Sequence, residues 1–382
     1  MDNYQTGKMA VCGLGTACSE RRMPEVKSVL GSPDRSGWFF HVLTRGRDRR
    51  RDSHERHWKP LGDGIPMSVV RCVCMLRMHA QYCFIKEDLI MAERLTGHTE
   101  LVGLIAYPIR HSSSPAMHNE AFAYLGLDYA YLAFEVDNST LEDAVKGIRA
   151  LKLVGSNVSM PNKTVVGQYL DKLSPAAELV GAVNTIVNKN GVLEGHCTDG
   201  IGYMQSLKDY DIDVIGKKIT VVGAGGAGTA IEIEAALDGV AEMSIFNIKD
   251  KFWENAENTV KKINEKTNCK AKLFDLADKD ALREEIASSY LLANATGVGM
   301  KPLEGQTWLP DPSYLRPDLI VTDTVYAPAE TEFLRIAKQV GCKNMNGFGM
   351  MLFQGAAAFK MWTGHDMPIE HMKEVLGIRY GE

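Results

Sequence analysis

The sequence lacks a run of eighteen apolar residues, and its first residues lack the basic-then-apolar order of a secretory signal. We therefore expect a cytoplasmic protein with no membrane partner. The eight cysteines are scattered, and Cys72 and Cys74 are too close together for a zinc knuckle, so neither a disulfide framework nor a metal site is expected. The net charge of -5 argues against nucleic acid as the main partner.

The composition indicates a globular protein of more than one domain. Of the 382 residues 45% are hydrophobic and 24% are charged, and this length favours two domains. Residues 1–90 differ from the rest, because they carry a formal charge of +5 and leave the remainder at -10. They show neither helical nor strand periodicity, so no fold is assigned to them. Three interpretations stay open: a solvated or disordered basic extension, a nucleic-acid patch, and a non-native stretch upstream of a true start at Met91.

From residue 101, short apolar runs alternate with longer amphipathic stretches. This alternation is typical of an α/β protein with parallel strands and crossover helices. The first series predicts an open α/β domain, with Asn138 or Ser139 as the cap of its second helix. Its strands are predicted at 101–107, 130–136, 155–160 and 182–188, and its helices at 114–125 and 139–151.

A second series begins at Lys218 and predicts a Rossmann-type, doubly wound parallel sheet. Its strands are predicted at 219–223, 243–248, 272–276, 291–296 and 319–326. Helices at 350–362 and 369–376 close the chain, and we expect them to pack on the first domain.

A glycine-rich turn follows the first strand of the second series, with the sequence Gly-Ala-Gly-Gly-Ala-Gly at 223–228. In a dinucleotide-binding turn, Gly223 permits the tight turn, Gly225 lets the backbone approach a pyrophosphate, and Gly228 allows close packing of helix and strand. Asp250 lies 22 positions beyond Gly228, where a carboxylate accepts hydrogen bonds from ribose hydroxyls and repels a 2′-phosphate. The pattern predicts NAD, with NADP tolerated because Lys249 lies beside the carboxylate.

Four polar segments of the first domain, 111–115, 159–163, 182–185 and 197–200, are expected to gather at one edge of its sheet, because each is predicted to follow a strand. We predict Lys163 and Asp199 as a catalytic pair. Oxidation of a secondary alcohol needs a base for the hydroxyl proton, and a lysine in a closing cleft can have its pKa lowered. Taken alone, each residue is better explained structurally, Lys163 as a surface lysine and Asp199 as a helix cap, and it is their joint placement after successive strands that favours the catalytic interpretation.

Seven segments resemble the shikimate dehydrogenase family, most closely its quinate/shikimate dehydrogenase branch. They are 103–115, 157–163, 181–185, 198–200, the glycine turn, 294–300 and 347–354. The resemblance runs from Leu101 to the C-terminus and does not include residues 1–90. It implies reversible oxidation of the C3 hydroxyl of shikimate to 3-dehydroshikimate, or of quinate to 3-dehydroquinate, with NAD or NADP and no metal.

The resemblance also implies roles for individual residues. Ser112 and Ser114 would bind the substrate carboxylate, and Lys163 would be the acid–base group paired with Asp199. The ring hydroxyls would be held by Ser159, Asn184, Asp199 and Gln354. The cofactor would contact Ala224, Gly225, Gly226 and Ala227 at its pyrophosphate, Asn247, Ile248, Lys249 and Asp250 at the adenosine ribose, and Thr324, Val325, Tyr326, Ala327 and Gly347 towards its nicotinamide end.

Two residues depart from the family pattern. Ile248 replaces an arginine that is frequent in relatives, and Gly297, another predicted cofactor contact, replaces a lysine of the dual-specificity branch. Both changes weaken the expectation of NADP use. The predicted organisation is a basic extension (1–90), a substrate-binding catalytic domain (91–205, completed by helices within 350–382) and an NAD(P)-binding domain (206–349).

Two alternative functions remain open at this point. One is a dehydrogenase of another hydroxylated or aminated cyclic carboxylate, and the other is a non-catalytic nucleotide-sensing protein. The sequence does not rank shikimate against quinate. A homodimer is compatible with it, but the oligomeric state is not fixed.

Overall fold

The computed structural model describes residues 95–378, together with the backbone of two short strands, β1 (Val26–Ser28) and β2 (Val42–Thr44). The chain divides into two compact units, Met1–Ile90 and Met91–Glu382. In the first unit β1 pairs antiparallel with β2. The interpretations of residues 1–90 as a disordered, nucleic-acid-binding or non-native extension otherwise lie outside the described residues.

The first sheet of the second unit has six strands in the order β4-β3-β5-β7-β8-β6. Helices α1 (Ser114–Leu125), α2 (Leu141–Ala150) and α3 (Pro175–Val180) belong to the same half of the unit. The strands are β3 (Glu100–Ala106), β4 (Tyr129–Glu135), β5 (Gly155–Val158), β6 (Lys172–Leu173), β7 (Thr185–Lys189) and β8 (Val192–His196).

The expectation that this sheet is parallel is wrong for β7, which runs antiparallel to both β5 and β8. The antiparallel pairing of β7 with β8 results from the two-residue hairpin that joins them. Asn190 and Gly191 both have positive φ, 56° and 91°, and such a pair matches the twist of the flanking strands. The Gly191 amide also donates to Asn188 Oδ1 at 2.7 Å. The chain therefore reverses here and does not cross over through a helix.

Helix α1 has the predicted bounds, whereas α2 begins two residues later than predicted. Asp137 explains the delay, because its Oδ1 accepts hydrogen bonds from the Ser139 amide at 2.9 Å and from the Ser139 hydroxyl at 2.5 Å. These bonds hold residues 137–140 in a turn. Thr140 therefore precedes the helix, and its side chain makes no capping bond, so the predicted cap at Asn138 or Ser139 is wrong.

The second sheet is parallel throughout, with the order β11-β10-β9-β12-β13-β14 that is typical of a doubly wound fold. Its strands are β9 (Lys218–Val222), β10 (Glu242–Asn247), β11 (Lys270–Asp275), β12 (Leu291–Asn294), β13 (Ile320–Asp323) and β14 (Lys343–Met345). The accompanying helices are α4 (Asp199–Asp209), α5 (Gly226–Asp238), α6 (Trp253–Lys266), α7 (Lys279–Ser288) and α8 (Glu332–Val340). The predicted α/β class with a Rossmann-type half is confirmed.

The predicted strand 319–326 is shorter in the structure because Asp323 ends it. The Asp323 carboxylate accepts hydrogen bonds from the Val325 amide at 2.9 Å and from the Thr331 hydroxyl at 2.7 Å. These two bonds fold residues 324–331 into a loop at the carboxyl end of β13. That edge is where open α/β sheets bind their ligands.

Two C-terminal helices, α9 (Phe348–Thr363) and α10 (Ile369–Leu376), return to the first sheet. Phe359, Trp362 and Met372 are buried in one core cluster with Val102 and Leu104 of β3. The Trp362 indole also donates to the main-chain oxygen of Ile186 in β7 at 3.0 Å. Among residues 95–378, none of the helices combines the length and the apolar character that crossing a bilayer requires.

Candidate active site

A cavity of about 550 Å³ opens at the carboxyl edges of the two sheets. All seven predicted substrate residues line it, namely Ser112, Ser114, Ser159, Lys163, Asn184, Asp199 and Gln354. Ser159 and Lys163 follow β5, and Asp199 follows β8. Asn184 precedes its strand, contrary to prediction, but the antiparallel direction of β7 brings the start of that strand to the same edge.

Lys163 and Asp199 form an ion pair in this cavity, with 2.8 Å between Nζ and Oδ2. The other carboxylate oxygen of Asp199 accepts a hydrogen bond from Asn184 Nδ2 at 2.9 Å. Asn184 Oδ1 in turn accepts from the main-chain amide of Thr198 at 2.8 Å. Because a main-chain amide only donates, this bond fixes the orientation of the Asn184 side chain. Each oxygen of the Asp199 carboxylate therefore accepts a hydrogen bond, one from Lys163 and the other from Asn184.

The pKa of Lys163 is raised in this arrangement and not lowered. Burial lowers the pKa of Lys163, but the charge of Asp199 and the hydrogen bond to it outweigh burial, so the pKa lies above its ordinary value. At neutral pH the side chain is therefore an ammonium that can donate a proton to a substrate oxygen. Acting as a base requires alkaline pH or weakening of the ion pair.

Glycines bring the helices that carry Asp199 and Gln354 into close contact. A Cβ on Gly202 of α4 would lie 2.5 Å from the main-chain nitrogen of Gln354 in α9. A Cβ on Gly200 would lie 2.3 Å from the main-chain oxygen of Ala230 in α5. Helix α4 is thus held between the two other helices. Asp199, its first residue, is placed at the border of the cavity.

The glycine turn has the geometry that a pyrophosphate needs. Gly223 has φ +106°, and a Cβ on Gly228 would lie 1.9 Å from the Gly223 oxygen, so both positions require glycine. A Cβ on Gly225 would meet no atom of the described part of the chain within 4 Å, and Gly225 is the residue that precedes α5. The open space at Gly225 and the first amides of α5 therefore fit an anionic pyrophosphate. The neighbouring Gly226 begins α5, and Ala224 is buried beneath the turn.

A second cavity of about 240 Å³ lies beside this turn. Of the predicted ribose residues, Asn247, Ile248 and Asp250 line it, and Gly297 lines both cavities. Asn247 holds the local arrangement, because its Oδ1 accepts from the Ala224 amide at 3.2 Å and its Nδ2 donates to Asp250 Oδ1 at 3.1 Å. The ammonium of Lys249 instead lies 3.5 Å from Asp275.

The remaining predicted cofactor residues line the larger cavity on the side of the second sheet. A Cβ on Gly347 would lie 2.1 Å from the main-chain oxygen of Thr324, so the start of α9 is in close contact with the loop after β13. That loop, fixed by Asp323, thus faces the Lys163–Asp199 pair across the same cavity. These residues are Ala227, Thr324, Val325, Tyr326, Ala327 and Gly347.

Several cavity residues were not predicted from the sequence. Asn157 lines the larger cavity and lies within a segment that resembled the family, so the signal was available. Phe252, Leu276 and Trp308 line the smaller cavity. Leu276 ends the strand predicted at 272–276, but Phe252 and Trp308 come from irregular segments without a periodic pattern, so sequence reasoning had no means of placing the three together.

Comparison with known proteins agrees with this geometry. The model for the shikimate dehydrogenase substrate binding domain matches residues 104–186, and that for the shikimate 5′-dehydrogenase C-terminal domain matches residues 347–376. A shikimate dehydrogenase (NADP(+)) from Listeria innocua is 65% identical over 286 residues, which are 75% of this chain and 98% of that protein. The chain belongs to the shikimate dehydrogenase family. The predicted family and the predicted class of oxidoreductase are confirmed.

Solved structures of the family superpose on most of the chain. The shikimate 5-dehydrogenase of Listeria monocytogenes, in complex with shikimate and NAD, is 65% identical with a TM-score of 0.73, and the match covers 74% of this chain and 98% of that one. A quinate dehydrogenase from Corynebacterium glutamicum, in complex with NAD, is 28% identical with a TM-score of 0.66, covering 73% and 99%. These relatives thus include a shikimate and a quinate dehydrogenase, and their names give both NAD and NADP as cofactors.

Proposed function

We propose that the chain catalyses the reversible oxidation of the C3 hydroxyl of shikimate to 3-dehydroshikimate, and of the corresponding hydroxyl of quinate to 3-dehydroquinate. The observation that carries this proposal is the Lys163–Asp199 pair, joined at 2.8 Å. It lies in a cavity whose opposite wall is formed by the loops that follow the strands of a dinucleotide-binding sheet. The family membership adds the substrate class.

The substrate carboxylate would lie against Ser112 and Ser114 at the start of α1. The Ser114 amide donates to Ser112 Oγ at 3.2 Å, so the two residues form one polar surface. The ring hydroxyls would be held on the other side by Ser159, Asn184, Asp199 and Gln354. Serine hydroxyls and carboxamides suit this ligand because they both donate and accept hydrogen bonds.

Lys163 would move the proton at the reacting oxygen. In the reductive direction its ammonium donates a proton to the substrate carbonyl oxygen, and in the oxidative direction its neutral amine accepts the hydroxyl proton. Asp199 holds Lys163 in place and, while Lys163 is an ammonium that donates to the substrate oxygen, accepts the hydrogen bond of the substrate hydroxyl. The nicotinamide, when bound, would accept a hydride from substrate C3 in oxidation and donate one to it in reduction.

The cofactor proposed is NAD, with NADP also accepted. The glycine turn would hold the pyrophosphate, and the Asp250 carboxylate, oriented by Asn247, would accept hydrogen bonds from the ribose hydroxyls. Ile248 offers no positive charge to a 2′-phosphate, and the ammonium of Lys249 lies beside Asp275. These features support the preference for NAD.

Three further expectations belong to this proposal. The two sheets support a substrate domain (91–205 with 350–382) and a cofactor domain (206–349). A cytoplasmic location without nucleic-acid or membrane partners fits a dehydrogenase of small polar acids. A homodimer is supported by β4, which is an edge strand whose Leu132 and Phe134 are 51% and 37% exposed.

The test is a steady-state experiment that crosses shikimate and quinate with NAD and NADP, using wild type, Lys163→Ala and a matched control, Lys172→Ala. Lys172 is an exposed lysine paired with Glu194 at 3.6 Å outside the cavity. We expect Lys163→Ala to lower kcat by about 10²- to 10⁴-fold with little change in cofactor binding, and Lys172→Ala to behave as wild type. Unchanged turnover of Lys163→Ala would contradict the assignment.

A panel of other hydroxylated and aminated cyclic acids completes the experiment. Activity confined to such an acid would replace shikimate as the substrate. Tight NAD binding without turnover of any acid would favour a nucleotide-sensing protein.

A further inference from the structure

Tyr131 is a buried tyrosine of β4 that does not belong to the lining of the active-site cavity. Two consecutive residues of α1 hold it. Asn119 Nδ2 donates to the Tyr131 main-chain oxygen at 2.9 Å, and the Tyr131 amide donates to Asn119 Oδ1 at 2.8 Å. The ring of His118 stacks on the tyrosine ring, with 4.5 Å between centroids and 9° between planes. The phenol is thus fixed in position and direction.

A chain of hydrogen bonds leads from this phenol to the catalytic pair. The Tyr131 hydroxyl donates to Asn157 Oδ1 at 2.7 Å, and Asn157 Nδ2 donates to Thr185 Oγ1 at 3.1 Å. The Thr185 hydroxyl donates to Asn184 Oδ1 at 3.0 Å. Asn184 Nδ2 then donates to Asp199, which Lys163 contacts from its other side. Every link passes through a buried or half-buried side chain.

Main-chain groups fix the direction of this chain. Asn157 Nδ2 also donates to the main-chain oxygen of Asn184 at 3.0 Å. Because a carbonyl oxygen only accepts, the Asn157 amide nitrogen must face Asn184 and its oxygen must face Tyr131. The Tyr131 hydroxyl is therefore the donor. Burial raises the pKa of Tyr131, with the nearby Ser114 hydroxyl opposing the rise, so the phenol keeps the proton that it donates.

We propose that Tyr131 is a positioning residue of the reaction, whose phenol holds Asn157 and Thr185 in place and so supports the bond from the Thr198 amide in keeping Asn184 against Asp199. Loss of the phenol would leave Asn157 Oδ1 without its buried donor, and this unsatisfied oxygen would weaken the hold of the amide on Thr185. The role rests on the proposed dehydrogenase function, because it is exerted on the catalytic pair. Tyr131 itself contacts neither Lys163 nor Asp199.

The experiment uses the full chain and three variants, Tyr131→Phe, Thr185→Val and their double variant. The matched control is Tyr203→Phe. Tyr203 is equally buried and bonds Thr322 in the second sheet at 2.8 Å, outside the chain of bonds. The readouts are kcat and KM for shikimate, KM for NAD, the pH dependence of kcat and the melting temperature.

We expect Tyr131→Phe to lower kcat for shikimate oxidation by about 5- to 100-fold, the range for loss of one buried hydrogen bond. The rise of kcat with pH should also begin at lower pH than in the wild type. The KM for NAD should stay within about twofold, as for a change confined to one side of the cavity. The double variant should lose no more kcat than the single variant with the larger loss, because both changes interrupt the same chain of hydrogen bonds. Tyr203→Phe should alter the melting temperature alone.

Three results would overturn the proposal. One is a Tyr131→Phe variant whose kinetics match those of Tyr203→Phe, and another is strictly additive losses in the double variant. If Tyr131→Phe does not fold, wild-type kinetics of Thr185→Val would count against it in the same way. A wild type without shikimate dehydrogenase activity is a different outcome, since it refutes the proposed function before any variant is measured.

Discussion

Replacing Asp199 by asparagine should move the rise of the shikimate oxidation rate with pH to lower pH. The carboxylate lies 2.8 Å from Lys163 Nζ and holds the pKa of the lysine above its ordinary value, although burial lowers it. At that distance the attraction of two unit charges is about 1.5 kcal/mol at the dielectric constant of water and about 3 kcal/mol at half that constant. The loss of this attraction corresponds to a shift of about one to two pH units.

The assay is the initial rate of NADH formation from shikimate across neutral and alkaline pH. Wild-type oxidation should rise with pH, because the neutral amine of Lys163 is the base. In Asp199→Asn the maximum is lower, since the carboxylate also orients the substrate hydroxyl, but the rise begins at lower pH. Asp209→Asn is the control, because that carboxylate pairs with Lys373 at 2.7 Å outside the cavity. If the rate of Asp199→Asn rises at the same pH as that of the wild type, or at higher pH, the reasoning is refuted.

Three further predictions concern the cofactor half. Gly228→Ala should destabilise the fold by about 1–3 kcal/mol in urea unfolding, because its Cβ would lie 1.9 Å from the Gly223 oxygen. Gly225→Ala should leave the stability unchanged. It should instead raise the KM for NAD, because its Cβ would enter the open space of the turn. An Ile248→Arg variant should lower the KM for NADP by about tenfold, the contribution of one charge-assisted phosphate contact; a KM that does not fall would show that this position does not face the 2′-phosphate. Glu232 is fully buried, neither carboxylate oxygen has a hydrogen-bond partner among residues 95–378, and burial raises the pKa of its carboxyl to about 8. Since the folded-state pKa exceeds the unfolded value of 4.5, stability present at acidic pH should be lost as the pH rises towards 8. Glu232→Gln should remove this loss, which is at most about 5 kcal/mol, and parallel pH profiles of the two unfolding free energies would contradict the prediction.

Most of the fold followed from the sequence because its strands are apolar runs between glycine- and aspartate-rich turns. The direction of β7 did not, since an apolar run indicates a strand and not its partner. A local signal exists for the reversal between β7 and β8, namely Asn190-Gly191, a dipeptide that favours a hairpin. The strands β6 and β14 have two and three residues, which is too short for any period to be recognised.

The candidate site was predicted as a set of residues, but its electrostatics were not. Polar residues at strand ends could be placed at one edge from topology alone. The raised pKa of Lys163 depends on the balance between burial and a carboxylate at 2.8 Å, and a sequence contains neither quantity. Trp308 and Phe252 enter the smaller cavity from loops, whose course depends on tertiary contacts such as the hydrogen bond from the Trp308 indole to Asn294 at 3.0 Å.

The return of α9 and α10 to the first sheet also bears on the order in which the chain is completed during synthesis. Phe359, Trp362 and Met372 fill the core beneath β3, although more than two hundred residues separate them from it. A nascent chain that has reached Met345 holds every strand of the second sheet, whereas the first sheet still lacks one of its covering layers. Because domains fold as their segments emerge, the middle of the polypeptide should become protease-resistant before its earlier part. Release of the last helices from the ribosome would then complete the half that binds the substrate.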